Sequence, residues 1–480
     1  MVKQIILLLI TCLTFQINAR EEKKFVIVIT SYNNADWFER NIGCLFTQLN
    51  NGGTGLYENY RIIYIDDCSP DGTAELVEKY IISCNQQHRV TLIKNKTRKR
   101  ALANLYYALQ LCQPDEIVFN YDGDDWLADN TIFALINDIY QNPDIWITYG
   151  QFQNWPTGQM GYCQPLSTEL AQKQNFRKKW WKPGQLRTFY AWLFHQIHLK
   201  DLLFEGPYFQ GQFFPANADL AVYYPMMEMA GSHYHFIPEV IYIRNVATPL
   251  NDFKANKEVQ ILGSKLLREK PKYELLANSA PAYLDSFKNQ TADLIVFSSQ
   301  TDLTNRLLNS VNKLTCNINT IQTMDNTAPE FKKQLMDLIK SSPSNYILFA
   351  CDQMVFFQQV DCAHAIYELE KAYAYGFYLG LGHERSLSYQ TGITQPMPAL
   401  NQITNSVYAW AFHYADCGDW RCCNNLGATI YRKKMVLEQL EKLSFSNAHE
   451  LFEQWKSLPV SLEEVGLCYE QSKINYITWY

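Results

Sequence analysis

Excess charge of one sign, paired cysteines and long apolar runs are all missing or scarce in this 480-residue chain. Lys and Arg number 42 against 48 Asp and Glu, a net charge of −6, so the broadly basic footprint of a nucleic-acid binder is not there. Thirteen cysteines without one Cys-x-x-Cys spacing are too sparse for a disulfide scaffold. They read mostly as small core residues, with room for one or two disulfides. Beyond the N-terminus no stretch is apolar enough to cross a membrane. What is present, 47% hydrophobic and 14% aromatic residues, is ample for large cores. Length alone suggests roughly two to four domains of ~150 residues each.

At the N-terminus Lys3 precedes an apolar run, Ile5 to Phe15, followed by Ala19 and the charged stretch Arg20 to Lys24. As a helix this run spans only ~16 Å, against the ~30 Å of a bilayer core. Residues 1–20 therefore read as a signal peptide, with cleavage after Ala19, or a short anchor. The expectation is a secretory or envelope compartment, or the cytoplasmic face if the anchor is uncleaved. Membrane association is at most peripheral.

From Phe25 onward the pattern alternates. Strands are expected at 25–29, 61–65, 90–93, 116–120 and 145–148, with helices at 36–49, 73–83, 100–111 and 129–141 between them. Such alternation predicts a parallel sheet covered on both faces. Two of these strands run into carboxylates: Ile62-Ile-Tyr-Ile-Asp66-Asp67, and Ile117-Val-Phe-Asn-Tyr-Asp122-Gly123-Asp124-Asp125. In open α/β sheets the ligand crevice lies at the carboxyl ends of the strands. Five acids gathered there would repel at about 3 kcal/mol per pair at ~5 Å and an effective dielectric of ~20. A divalent cation is the simplest stabiliser.

Three ordered segments, Ile29-Thr30-Ser31-Tyr32-Asn33-Asn34, Asp66-Asp67-Cys-Ser-Pro-Asp71-Gly-Thr73 and Asp122-Gly-Asp124-Asp125, resemble the family-2 glycosyltransferases of GT-A fold over about residues 25–245. The resemblance implies a Rossmann-like nucleotide-diphospho-sugar transferase of the hexosyltransferase class. Such an enzyme moves a sugar, with inversion and with Mn²⁺ or Mg²⁺, from a UDP- or GDP-linked donor to a hydroxyl of a glycan, lipid or protein acceptor. By the same resemblance Thr30 and Tyr32 floor the base and Asp67 accepts a hydrogen bond from it. Asp122 serves the ribose and the metal, Asp124 ligates the metal, and Asp219 is the catalytic base. At that last place the family often has Glu-Asp, where this chain has Ala218-Asp219. Nearby His233 and His235 are candidates for the metal shell or acceptor site, against a plain structural role. The basic run Lys94 to Arg100 departs from the family, which often carries glycine in this loop. It is either a solvated face or a source of phosphate-binding arginine. Asp66 and Asp71 have turn and capping roles as their alternative.

Residues 150–215 are aromatic and loop-rich, reading as core packing or as an acceptor groove. A second α/β unit follows a charged helical linker. Its strands near 293–297, 319–324 and 345–350 lead to Ser298, Asp325 and Cys351-Asp352, a compressed echo of the first unit with one βα pair missing. The expected division is 1–20, 25–250 as the GT-A domain, 251–290 as linker, and 291–480 as a smaller, degenerate GT-A-like domain. The cluster Asp416 to Cys423 reads as a disulfide or plain loop rather than a metal site. Two rival functions stand beside the transferase. One is a carbohydrate-binding scaffold of GT-A-like fold. The other is a nucleotidyltransferase, which usually carries a glycine-rich phosphate loop that Ile29–Asn34 lacks.

Overall fold

A computed structural model describes residues 21–178, 183–248, 257–277, 286–315, 318–383, 395–416, 418–461 and 464–476. The N-terminal segment 1–20 lies outside these.

The first unit is built on an eight-stranded sheet. Its strands are β1 (Phe25–Ser31), β2 (Tyr60–Asp66), β3 (Val90–Lys94), β4 (Ile117–Asp122), β5 (Trp126–Leu127), β6 (Ile147–Trp155), β7 (Arg187–Tyr190) and β8 (Tyr234–Asn245), in the order β3-β2-β1-β4-β7-β6-β8-β5. Strands β1 and β4 are apolar on both faces and almost wholly buried, as a parallel strand between helical layers must be. The sheet is mixed rather than parallel, because β7 runs antiparallel to both β4 and β6, and β5 antiparallel to β8. Strand β7 comes from the segment read as aromatic loop, and its short Arg-Thr-Phe-Tyr stretch gives little period-2 signal. Trp192 and Phe214 from that segment are core residues. The helix expected over 36–49 is one short helix, Phe38–Gly43, followed by turns, whereas Thr73–Ser83 agrees with expectation.

Helix Lys257–Glu269, inside the expected linker, packs back on the first unit. The buried Arg177 guanidinium pairs with Glu228 at 2.7 and 2.8 Å and donates to the Leu267 carbonyl at 2.6 Å.

The second unit comprises β9 (Ala292–Ser298), β10 (Leu314–Thr315), β11 (Ile318–Asp325), β12 (Tyr346–Cys351), β13 (Met354–Phe356), β14 (Val360–Asp361), β15 (Gly376–Gly382), β16 (Asn401–Gln402), β17 (Val407–Ala411), β18 (Thr429–Arg432), β19 (Val465–Tyr469) and β20 (Ile474–Tyr476). Its main sheet runs β11-β9-β12-β18-β15-β19-β17-β16. Strands β2-β1-β4-β7-β6-β8 of the first sheet and β11-β9-β12-β18-β15-β19 of the second match in order and sense. The antiparallel pair β5–β8 has its match in β13–β20. Register matches too: Ser31 faces Asp66 and Thr30 faces Asp122, while Ser298 faces Asp325 and Phe297 faces Cys351. Among the described residues the second sheet has no counterpart of β3, and it adds the edge strands β17 and β16. Cys351 therefore stands where the first sheet has Asp122.

Contacts join the units. Lys371 Nζ donates to the Gln110 carbonyl at 3.1 Å, Asn401 Nδ2 to the Gly211 carbonyl at 2.6 Å, and Lys200 pairs with Glu464 at 3.0 Å.

Candidate active site at the carboxyl edge of the first sheet

Strands β1, β2 and β4 deliver their C-terminal residues to one cavity of about 250 Å³. Thr30, Tyr32, Asp67, Asp122 and Asp124 line it together, with Asp125, Arg98, Arg100 and Arg244 in the same lining. Asp219 is not part of that lining. It lies in the first turn of helix Ala218–Ala230, 3.5 Å from Arg187 Nη2. Arg187 is buried, and its charge bears on Asp122 as well, so this guanidinium links the proposed base to the acidic tip.

Gly123 explains why the tip is so tight. A Cβ there would come within 2.7 Å of Asn34 Nδ2 and of the Ser31 Cβ, a contact real side chains do not make. The β4 turn thus packs directly on the loop after β1. Asp125 is locked by the Asn245 N–H at 2.7 Å, and Asp122 Oδ2 accepts from Gln185 Nε2 at 2.5 Å.

Crowding three carboxyls in a half-dry turn raises their proton affinity. Burial pushes Asp122 up against the opposing pull of Arg187 and Gln185. Burial, then the Asp122 charge, pushes Asp124 up to about 7. Asp125 rises well above the carboxylate range through burial and the charges of Asp124 and Asp122. Among the described residues no three His, Cys, Asp or Glu side chains form a ready-made metal cage. The donor set still suits a hard cation, which binds through one or two carboxylates and takes its remaining ligands from substrate phosphates.

The second acidic tip has a more structural role. Asp67 Oδ1 accepts from Asn95 Nδ2 at 2.9 Å and the Lys99 N–H at 2.7 Å, and Oδ2 accepts from the Arg100 N–H at 2.8 Å. Its carboxylate pins the basic loop to the cavity wall, leaving about one of its roughly four acceptor positions for a ligand. Asp66 accepts the Ser69 N–H at 3.0 Å and Asp71 the Thr73 N–H at 3.1 Å; neither lines the cavity, as their turn and capping alternative had it. Arg98 lies flat over the Tyr32 ring, 3.8 Å from its centroid.

His233 and His235 sit at the opposite end of β8 from Asn245. His233 stacks on Trp146 at 3.9 Å and holds the Asp144 carbonyl, so it belongs to packing and not to a metal shell. Arg187, Gln185, Arg244 and Asn245 escaped sequence reasoning. Only Arg244 carried a signal, as the charged end of an apolar strand.

In the second unit Asp352 accepts from Ser299 Oγ at 2.8 Å and the Gln300 N–H at 2.9 Å, and from the Ser299 N–H. That acid is spent on the turn after β9. Cys422 and Cys423 are free thiols, which leaves the plain loop of the two alternatives expected there.

Residues 26–202, within the first unit, match the family described as glycosyl transferase family 2. A stretch of 69 residues is 39% identical to EpsE of Bacillus subtilis, which carries the name of a glycosyltransferase; it covers 14% of this chain and 24% of that protein. TarS of S. aureus is similar over 46% of this chain and 37% of its own, at 15% identity and a TM-score of 0.34. The mannosyltransferase PcManGT of Pyrobaculum calidifontis, solved with GDP-Man and Mn²⁺, is similar over 53% of this chain and 66% of its own, at 16% identity and a TM-score of 0.36.

Proposed function

We propose that the chain is a metal-dependent, inverting hexosyltransferase using a UDP- or GDP-linked donor. The observation that carries this reading is that Asp122, Asp124 and Asp125, acids whose protonation burial favours, line one cavity together with Arg98, Arg100 and Arg244. Carboxylates alone would repel a diphosphate. Asp124, with Asp122 beside it, would hold Mn²⁺ or Mg²⁺, which supplies Lewis-acid neutralisation of the charge growing on the departing diphosphate.

The chain's own side chains do the rest. Tyr32 and Thr30 give the base a floor, and the spare acceptor position of Asp67 takes one base N–H. Arg98, Arg100 and Arg244 face the phosphate oxygens, where a guanidinium can bond two oxygens at once. Asp219, held by Arg187 and still 37% exposed, takes the proton of the acceptor hydroxyl as that oxygen attacks the anomeric carbon from the face opposite the leaving group. The spent Asp352 and the cysteine at Asp122's place favour a non-catalytic second unit. The apolar run after Lys3 supports export or peripheral anchoring of the acceptor reaction, checked by N-terminal sequencing of the mature protein.

The direct test is a thermal shift with UDP or GDP plus Mn²⁺, followed by nucleotide-sugar hydrolysis. Ligand at ~100 times its Kd stabilises by about 2.7 kcal/mol. No shift with any nucleoside diphosphate, or hydrolysis that survives Asp124→Ala, overturns the reading.

A further inference from the structure

We infer that the cleft between the two units is the acceptor site, and that its acceptor is an anionic glycan whose oxyanions are read by the loop Lys96 to Arg100. This rests on the transferase reading above and adds the acceptor class to it.

The cleft measures about 760 Å³ and takes walls from both units: Lys96, Arg100 and Tyr107 from the first, His383, Gln402 and Tyr408 from the second. Arg98 and Arg100 line both this cleft and the donor cavity. An acceptor hydroxyl has to meet the donor's anomeric carbon, so a space sharing a wall with the donor cavity is where an acceptor can lie. On the far wall the His383 and Tyr408 rings stack with centroids 4.8 Å apart. The strands that supply Gln402 and Tyr408 are β16 and β17, the two that the second sheet adds to the pattern it shares with the first. Gln402 is tied across the gap by Lys99 Nζ at 2.5 Å, and Asn405 by the Tyr107 hydroxyl.

The charge in the cleft is one-sided. Lys94, Lys96, Arg98, Lys99 and Arg100 face it against the single acid Glu470. Lys94 is spent on Glu78 at 2.9 Å, and Arg98 is 4.0 Å from an Asp67 already occupied by other donors. Lys96 and Arg100 have no carboxylate partner among the described residues. A chain of net charge −6 thus concentrates uncompensated cations at this one opening.

Backbone geometry singles out Arg100. Its φ of 74° and ψ of 169° fall in a region populated almost only by glycine. The Asp67 carboxylate, bonded to the Arg100 N–H, holds it there. A glycine would relieve the strain, yet a guanidinium stands in its place, over the Phe209 ring at 4.9 Å, at the junction of the two spaces.

The test uses the full-length chain and three oligosaccharide probes of equal length: a neutral malto-oligosaccharide, an oligogalacturonate, and a phosphodiester-linked polyol oligomer. Binding is measured at low and high salt, and nucleotide binding is measured separately on the same wild-type sample. The expected result is saturable binding of at least one anionic probe, weakened ~10-fold or more by Arg100→Gly and by the exposed Lys96→Gln, and weakened by salt. The oligogalacturonate and polyol arms separate carboxylate from phosphate recognition. Equal binding of the neutral probe, or anionic binding unchanged in both variants, overturns the proposal. Anionic binding without nucleotide binding removes the transferase reading instead, and nucleotide binding without anionic binding removes only this one.

Discussion

The Asp67 carboxylate accepts the main-chain N–H of Arg100 at 2.8 Å and that of Lys99 at 2.7 Å, so the tip of one strand dictates the path of the loop after the next. Replacing Asp67 by Ala strands two half-buried N–H groups and frees a strained residue. The expected loss is about 1–3 kcal/mol of stability, read as a lower urea midpoint. Nucleotide affinity should fall with it, because Arg98 and Arg100 no longer hold their places.

Metal-free protein should lose stability as pH rises. Asp124 has its folded pKa raised to about 7, first by burial and then by Asp122, so the folded state holds a proton there that the unfolded chain releases near pH 4. The resulting penalty is absent below about pH 4, grows through the interval, and is complete above about pH 7. Melting curves in EDTA should show Tm falling across that window, and Mn²⁺ should flatten the slope. A Tm independent of pH in EDTA would remove the charge-crowding argument.

The same crowding makes Asp124→Asn a trade. In EDTA at pH 8 the variant should melt above wild type, since one of three mutually repelling acids is gone. Its metal-dependent turnover should drop at least ~100-fold, as expected for loss of a group that stabilises charge in the transition state. A variant that is both less stable and fully active would contradict the assignment in both respects.

Asp219→Asn should lower kcat by ~10²–10⁴ with little change in donor KM, the signature of a lost general base. Arg187→Met should be worse for stability, because the guanidinium is buried between Asp219 and Asp122. The kcat-against-KM split in a steady-state assay separates the two roles.

In the second unit, Asp352→Asn should cost about 1–3 kcal/mol by loosening the turn at Ser299 and Gln300, while kcat stays at the wild-type value. A collapse of turnover without loss of stability would mean that the second unit does chemistry.

Sequence reasoning located these features unevenly. Strands β2 and β4 announce themselves as mostly apolar runs ending in acid, so the carboxyl edge and its aspartates were legible. Antiparallel β7 was not, because four residues inside an aromatic stretch show no periodicity, and with it went Arg187. Helix 36–49 was overread from a helical spacing of Trp37, Ile42, Leu45 and Phe46 that turns satisfy equally well. The role of Asp67 as anchor of the basic loop, and the misfit of Arg100 to its backbone, are tertiary facts. No local pattern encodes a hydrogen bond that spans 33 residues.

Because the two sheets repeat one pairing scheme, this polypeptide carries its own internal control. Positions that persist in both copies, such as Ser31 with Asp66 and Ser298 with Asp325, report what the architecture demands of any sequence folded this way. Positions that diverge, Asp122 against Cys351 and Arg187 against Thr429, mark where the second sheet lacks the side chains of the proposed site.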